Sequence, residues 1–340
     1  MNMQKKYLYV LMLLLIGVGI CLLLVAYQGE RTVAHSMPTK SSSVTIYTAL
    51  PLATNNYYRP FTADLKSFNY QLAKDAPDNV TTITKQQMTN PTSRFTYDDI
   101  WLRDVAPVIT TRMVKFRYAP NYLPKTDSSY LDHRFRTWPK QQHFNYQTSN
   151  LVLDGGNLIW NQHDTVILTD HVFADNPSWS RSNIIDELRS KLEVNHVVII
   201  PSEPGDILGH ADGMVKFIDA NTLYLSDFLG DTQLVQTVKN KVKAALPNAK
   251  FVLLPSAYTS KGQYDKKIAS AKGLYVNMLE TPDTIYVPYY DLPTDQQVLK
   301  IVRQHTKKRT FPINVAKIST TGGSVHCLTW DVPNRFKLIH

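Results

Sequence analysis

From residue 44 onward the chain alternates short apolar runs with polar turns, and three longer stretches repeat apolar residues every third or fourth position. The short runs, rich in β-branched and aromatic residues, predict strands. They are VTIYTA (44–49), PVITTRMVKF (107–116), LVLDG (151–155), TVILTD (165–170), VVIIPS (197–202), MVKFID (214–219), TLYLSD (222–227), KFVLLPS (250–256), TIYVPYY (284–290) and INVAKIS (313–319). The periodic stretches NIIDELRSKL (183–192), QLVQTVKNKVKAAL (233–246) and DQQVLKIVRQHT (295–306) predict helices. Asp219-Ala220-Asn221, lying between two strands, reads as a hairpin turn. The pattern is mixed α/β, with paired strands between helices rather than strict β-α-β-α order. No repeat is visible by sequence identity, and no Pro/Gly/Ser-rich break follows residue 44. One domain over residues 44–340 is expected.

A different pattern precedes it. Residues 7–27, YLYVLMLLLIGVGICLLLVAY, carry no charge and follow Lys5 and Lys6. As a helix they would rise about 31 Å, the thickness of a bilayer's hydrocarbon core. A cleaved signal peptide is the competing reading, but its apolar region is shorter and ends at a small-residue site, of which Ala26 is a weak version. The length favours an uncleaved single-pass anchor in the cell membrane. Residues 1–6 then form a cytoplasmic tip, and the polar stretch 28–43 tethers an extracytoplasmic domain.

Charge adds little. Beyond residue 40 there are 33 basic and 27 acidic residues, with no basic run and no aromatic-basic interleaving. That excludes an obvious nucleic-acid surface. Cysteine adds more. Of the two, Cys21 lies in the apolar segment, so Cys327 has no disulfide partner in the domain. A lone thiol outside the cell is expected to be either buried or used.

Five polar clusters interrupt the pattern: YDDIWLRDVAP (97–107), LVLDGGNLIW (151–160), PGDILGHADGMVKF (204–217), YVNML (275–279) and TTGGSVHCLTWDVP (320–333). Each has an ordinary reading alone: a turn with a core tryptophan, a tight glycine turn, a buried cysteine. His210 and Asp212, two apart, share a face if extended, yet no second histidine follows at metal-ligand spacing. Together the clusters suit one chemistry. A guanidinium is a planar cation matched by carboxylates that accept paired hydrogen bonds. Its central carbon is a poor electrophile, so attack needs a strong nucleophile and a proton donor for the departing amine. One cysteine, one histidine and several aspartates supply these parts without a metal.

The segments DDIWLRDVAP, DGGN, GHADG, YVN and GGSVHCLT, in this order, resemble the guanidine-modifying superfamily. They are most similar to the agmatine deiminase and Porphyromonas-type peptidylarginine deiminase family, over about residues 97–333. The resemblance implies a five-bladed α/β propeller (the pentein fold) and no cofactor. It implies Cys327 as nucleophile and His210 as general acid, then base. Asp104 and Asp212 would grip the guanidinium and Asp154 would orient His210. Trp101, Asn277 and Gly323 would line the substrate pocket. The implied substrate is an agmatine-like guanidino molecule or an arginine side chain.

The chain departs from the family pattern in several places. Ala106 stands where the agmatine branch usually has glycine, and Asp154 where it usually has glutamate. YAPNYLPK (118–125) replaces a Trp-Gly-Gly turn, and Trp330-Asp331 follow the cysteine segment where glutamines are usual. An amidinotransferase or dihydrolase would use the same thiolate. A papain-like peptidase also uses Cys, His and Asn, but with the cysteine first, whereas the order here is His210, Asn277, Cys327. An inactive surface-binding module would not need His210, Asp212 and Cys327 intact.

Overall fold

The computed structural model describes residues 44–51, 55–75, 79–84 and 99–336. The expected anchor at 7–27 and the tether at 28–43 lie outside these residues. Among the described residues no helix is long and apolar enough to cross a membrane.

Among the described residues, five three-stranded sheets make up the domain. The first begins with β1 (Val44–Leu50), crosses by helix α1 (Thr62–Asp75) and returns as β2 (Asn79–Thr84). The second has β3 (Val108–Ile109), β4 (Met113–Arg117), α2 (Lys125–Gln141) and β5 (Gln147–Val152). The third has β6 (Ile159–Trp160), β7 (Thr165–Thr169), α3 (Arg181–Leu192) and β8 (His196–Ile200). The fourth has β9 (Val215–Phe217), β10 (Thr222–Ser226), α4 (Thr232–Ala245) and β11 (Lys250–Leu254). The fifth has β12 (Leu279–Glu280), β13 (Thr284–Tyr289), α5 (Asp295–His305) and β14 (Arg309–Asn314). Finally β15 (Trp330–Pro333) joins the first sheet antiparallel to β1, with Val44 opposite Pro333 and Tyr47 opposite Trp330.

The unit is the same each time. A central strand pairs antiparallel with a short strand and, through a helical crossover, parallel with the third. A parallel pair needs such a crossover, whereas a hairpin does not. Central strands are covered on both faces and so read as unbroken apolar runs; β7 is buried throughout. The last strand of the chain completes the unit that the first strand began. Across that junction Tyr47 packs edge-on against Trp138 and Phe144, Phe144 edge-on against Trp330, and Tyr47 tilted against Trp330. Trp330 is 1% exposed, and its truncation to alanine would cost about 3–5 kcal/mol.

Most predicted elements are present, with shifted ends. PVITTRMVKF divides into β3 and β4 because Thr110 turns the chain, its amide bonding the Arg112 carbonyl. INVAKIS is not one strand: β14 stops at Asn314, and Ile318–Thr321 form a 3-10 turn. The strand before Asp154 ends at Val152, which leaves the aspartate in a connection. Helices α1 and α2 were not foreseen, although Leu65, Phe68 and Leu72 recur at helical spacing and are buried. In α2, Lys, Arg, Asp and His dilute the buried stripe of Leu131, Phe135 and Trp138, and Pro139 sits in its last turn.

Candidate active site

The five connections that leave the third strand of one unit and enter the first strand of the next each carry one polar cluster. Trp101–Val105 lie between β2 and β3, and Asp154–Asn157 between β5 and β6. His210–Gly213 lie between β8 and β9, Asn277 between β11 and β12, and Ser324–Cys327 between β14 and β15. Equivalent ends of equivalent units bring residues 100 or more positions apart to one place.

His210 sits between two carboxylates, with Nδ1 3.6 Å from Asp104 Oδ1 and Nε2 3.3 Å from Asp154 Oδ2. Asp212 Oδ2 lies 2.8 Å from His326 Nδ1 and 3.5 Å from Cys327 Sγ. Asn277 Nδ2 donates to Cys327 Sγ at 3.2 Å, while its Oδ1 accepts from the His326 amide at 3.1 Å. Asn277 therefore fixes the backbone that presents the thiol as well as the thiol itself. Cys327, His210, Asp212, Asp104, Asp154 and Asn277 are all buried, none more than 7% exposed.

Three glycines make this crowding possible. A Cβ on Gly156 would lie 2.5 Å from Asp104 Oδ1 and 2.7 Å from His210 Nδ1. Its amide instead donates to Asp104 Oδ1 at 3.1 Å. Gly322 has φ +114°, a left-handed conformation that other residues adopt only with strain, and a Cβ on the following Gly323 would collide with the Trp101 ring.

A cavity of about 340 Å³ opens onto the thiol. Its walls include His210, Asp212, Asn277, Gly323 and Cys327, with Glu203, Asp206, Leu229 and Tyr258 elsewhere in the lining. Trp101, Asp104 and Asp154 stand behind this lining: Trp101 against Gly323, and the two aspartates against His210. Among the described residues no lysine or arginine lines the cavity. Among the described residues no group of three or more His, Cys, Asp and Glu is arranged to hold a metal ion.

The electrostatics follow from burial and from this excess of acid. Burial, then Asp212 and Asp104, push the Cys327 thiol well above its ordinary value. Burial works against a charge on His210, but Asp104, Asp154 and Asp212 outweigh it and push its pKa up. Asp104 is raised by burial and the neighbouring acids, against the pull of His210. Asp212 is held low despite burial, chiefly because His326 hydrogen bonds to it. His326 itself falls to about 3, through burial and the nearby cations Arg103 and Lys216. A neutral His326 must carry its proton on Nδ1 to donate to Asp212.

Sequence reasoning passed over His326, Tyr122, Glu203 and Asp206. His326 was adjacent to the cysteine in the H-C pair, and Tyr122 lay in the YAPNYLPK departure. Tyr122 donates its hydroxyl proton to Asp154 Oδ2 at 3.1 Å. The unusual Asp331 faces away from the thiol and pairs with Arg103 at 2.5 Å.

A ring of five ββαβ units with a buried Cys–His–Asp cluster at one set of strand ends defines an α/β propeller of the deiminase class. A family profile for Porphyromonas-type peptidyl-arginine deiminase matches residues 46–333. The chain belongs to that family, whose members are hydrolases of C–N bonds in linear amidines. It is 23% identical over 216 residues to the agmatine deiminase of Ectopseudomonas mendocina (strain ymp), covering 55% of this chain and 59% of that one. Its fold matches the agmatine deiminase of Enterococcus faecalis with TM-score 0.69 at 19% identity, over 85% of this chain and 93% of the other. A Cys-to-Ser variant of the C. jejuni agmatine deiminase with substrate bound matches with TM-score 0.68 at 16% identity, over 90% and 97%.

Proposed function

We propose that the chain deiminates a small guanidino compound with a second, distal positive charge, of which agmatine is the simplest. The observation that carries this reading is the charge balance of the thiol cavity: Asp212, Glu203 and Asp206 line it, and among the described residues no lysine or arginine lines it to pair them. Such a lining suits a cation at both ends and offers no partner for the α-carboxylate of free arginine.

In this reading the guanidinium enters against Asp212, which lines the cavity, and offsets the carboxylate field of Asp212 and Asp104 that holds Cys327 neutral. The thiol gives up its proton to solvent as the substrate cation binds, and its sulfur attacks the guanidinium carbon. His210, kept protonated by its three aspartates, gives its proton to the departing nitrogen, and ammonia leaves. The sulfur now holds an amidino group. Neutral His210 takes a proton from water, whose oxygen attacks the same carbon. The C–S bond breaks, and the ureido product departs. Asp154 keeps the imidazole in line throughout.

The reading also places the domain outside the cell, tethered by the charge-free run of residues 7–27. Protease added to intact cells would digest the domain; full protection would overturn this topology. The activity is tested by measuring ureido product from agmatine, free arginine and arginine peptides side by side. Agmatine should be turned over fastest and free arginine at least about tenfold more slowly, the worth of one unpaired charge contact. Ureido formation from none of them would overturn the assignment, and faster turnover of arginine peptides would redirect it to protein side chains.

A further inference from the structure

Asp154 Oδ2 has two partners on one oxygen, His210 Nε2 at 3.3 Å and the Tyr122 hydroxyl at 3.1 Å. The Tyr122 hydroxyl lies 3.4 Å from that of Tyr118. Both phenols titrate well above their ordinary value, through burial and the nearby Asp154, so both remain neutral. Neither lines the cavity, and both come from the YAPNYLPK segment between β4 and α2. The segment is tied in place where the Tyr118 amide donates to Asp132 Oδ1 at 2.8 Å.

We propose that Tyr122 is a positioning residue for the reaction, its hydroxyl holding Asp154 against His210 and setting how firmly His210 keeps its proton. A proton donor on a carboxylate oxygen draws charge from that oxygen and weakens its hold on an imidazolium. His210 must both release a proton to the amine and recover one from water, so too tight a hold blocks the first step. The groups facing His210 are Asp104, Asp154, Asp212 and Asp175, and those facing Asp154 include Tyr118, Tyr122 and Lys115. Of these, Tyr122 is the one that donates to the oxygen His210 uses. A short Asp154 side chain, where glutamate is usual in the agmatine branch, leaves room for that hydroxyl.

The inference rests on the proposed reaction, yet its test does not require turnover. In the full chain, Tyr122→Phe should move the NMR titration of His210 upward by roughly 0.5–1 in pH, one lost hydrogen bond's worth. With agmatine, kcat should fall about fivefold to fiftyfold and its pH profile should move the same way, while KM changes less than about threefold. Adding Tyr122→Phe to Asp154→Asn should do no further harm, because the hydroxyl acts through that carboxylate. A His210 titration that does not move, or effects that multiply in the double variant, would overturn the proposal. Should Tyr122→Phe fail to fold, Tyr118→Phe must move the same titration in the same direction by less, and no movement there overturns it too. Absence of turnover in the wild type would count against the reaction alone, since the titration still reads Tyr122.

Discussion

Two cavities meet at the His326–Asp212 pair, and they treat charge in opposite ways. The smaller, about 340 Å³, holds Asp212, Glu203 and Asp206 and, among the described residues, no lysine or arginine. The larger, about 440 Å³, is lined by Arg103, Lys216 and Arg335 as well as Glu280 and Asp331. There each acid has a cation: Asp331 pairs with Arg103, and Glu280 with Lys308. The first is a site with charge left over; the second is close to neutral in itself. Buried carboxylates without cations are costly in an empty protein and favourable once a cation arrives. That difference, more than size or shape, marks which cavity takes the substrate.

Removing the nucleophile should break the comparison most completely. Cys327→Ser keeps the volume and the Asn277 contact but replaces the thiol with a far less ionised hydroxyl. Ureido formation should fall by several orders of magnitude with substrate affinity nearly unchanged, measured by single-turnover assay and calorimetry. Wild-type turnover in this variant would make Cys327 a packing residue and leave the acidic cavity without chemistry.

Asp212→Asn should come next. It removes the charge that faces both the thiol and the incoming cation, and it weakens the His326 contact. Binding of agmatine should weaken about tenfold to a hundredfold, as expected for a charge-assisted hydrogen bond of about 1.5–3 kcal/mol. Equal affinity in the variant would show that the acid excess does not hold the cation.

Glu203 sharpens the same point at the distal end. Burial, with Asp206 beside it, raises its pKa to about 7. The carboxylate therefore exists above that pH and is lost as pH falls through it. KM for agmatine should rise by several-fold between pH 8 and pH 6, and Glu203→Gln should raise KM at pH 8 and flatten that dependence. Methylguanidine, which has no distal ammonium, should respond to neither change. A parallel response for both compounds would place the effect at the thiol instead.

Much of this was legible in the sequence, and the reasons are physical. Central strands such as TVILTD and TLYLSD are covered on both faces, so their composition alone announces them. The two-residue strands β6 and β12 are shorter than any periodicity, and β15 follows a cluster whose polar residues dominate the reading. The five clusters were visible because each connection between units contributes one, in chain order. Their mutual geometry was not, because it depends on units repeating in space without repeating in identity. Tyr122 and Glu203 escaped for another reason: Tyr122 meets Asp154 from 32 positions away, and Glu203 lies in the cavity lining outside the five clusters.

The smallest effect tests whether the two cavities are electrically separate. Lys216 and Arg103, on the paired side, help hold His326 neutral, with its pKa near 3. Lys216→Met keeps an apolar stem of similar length and removes the charge. With one cation gone, His326 should bind a proton more readily. Even a hundredfold gain in proton affinity, about 2.7 kcal/mol, still leaves it neutral at pH 8. A neutral His326 continues to donate from Nδ1 to Asp212, so the carboxylate facing the thiol keeps its charge and direction. Turnover of agmatine at pH 8 should therefore stay within about twofold of wild type. The acid limb of the kcat profile should move upward slightly, because His326 protonation begins to compete for Asp212 there. A tenfold loss at pH 8 would mean that the far-side cation acts on Asp212 directly, and that the two cavities share one field.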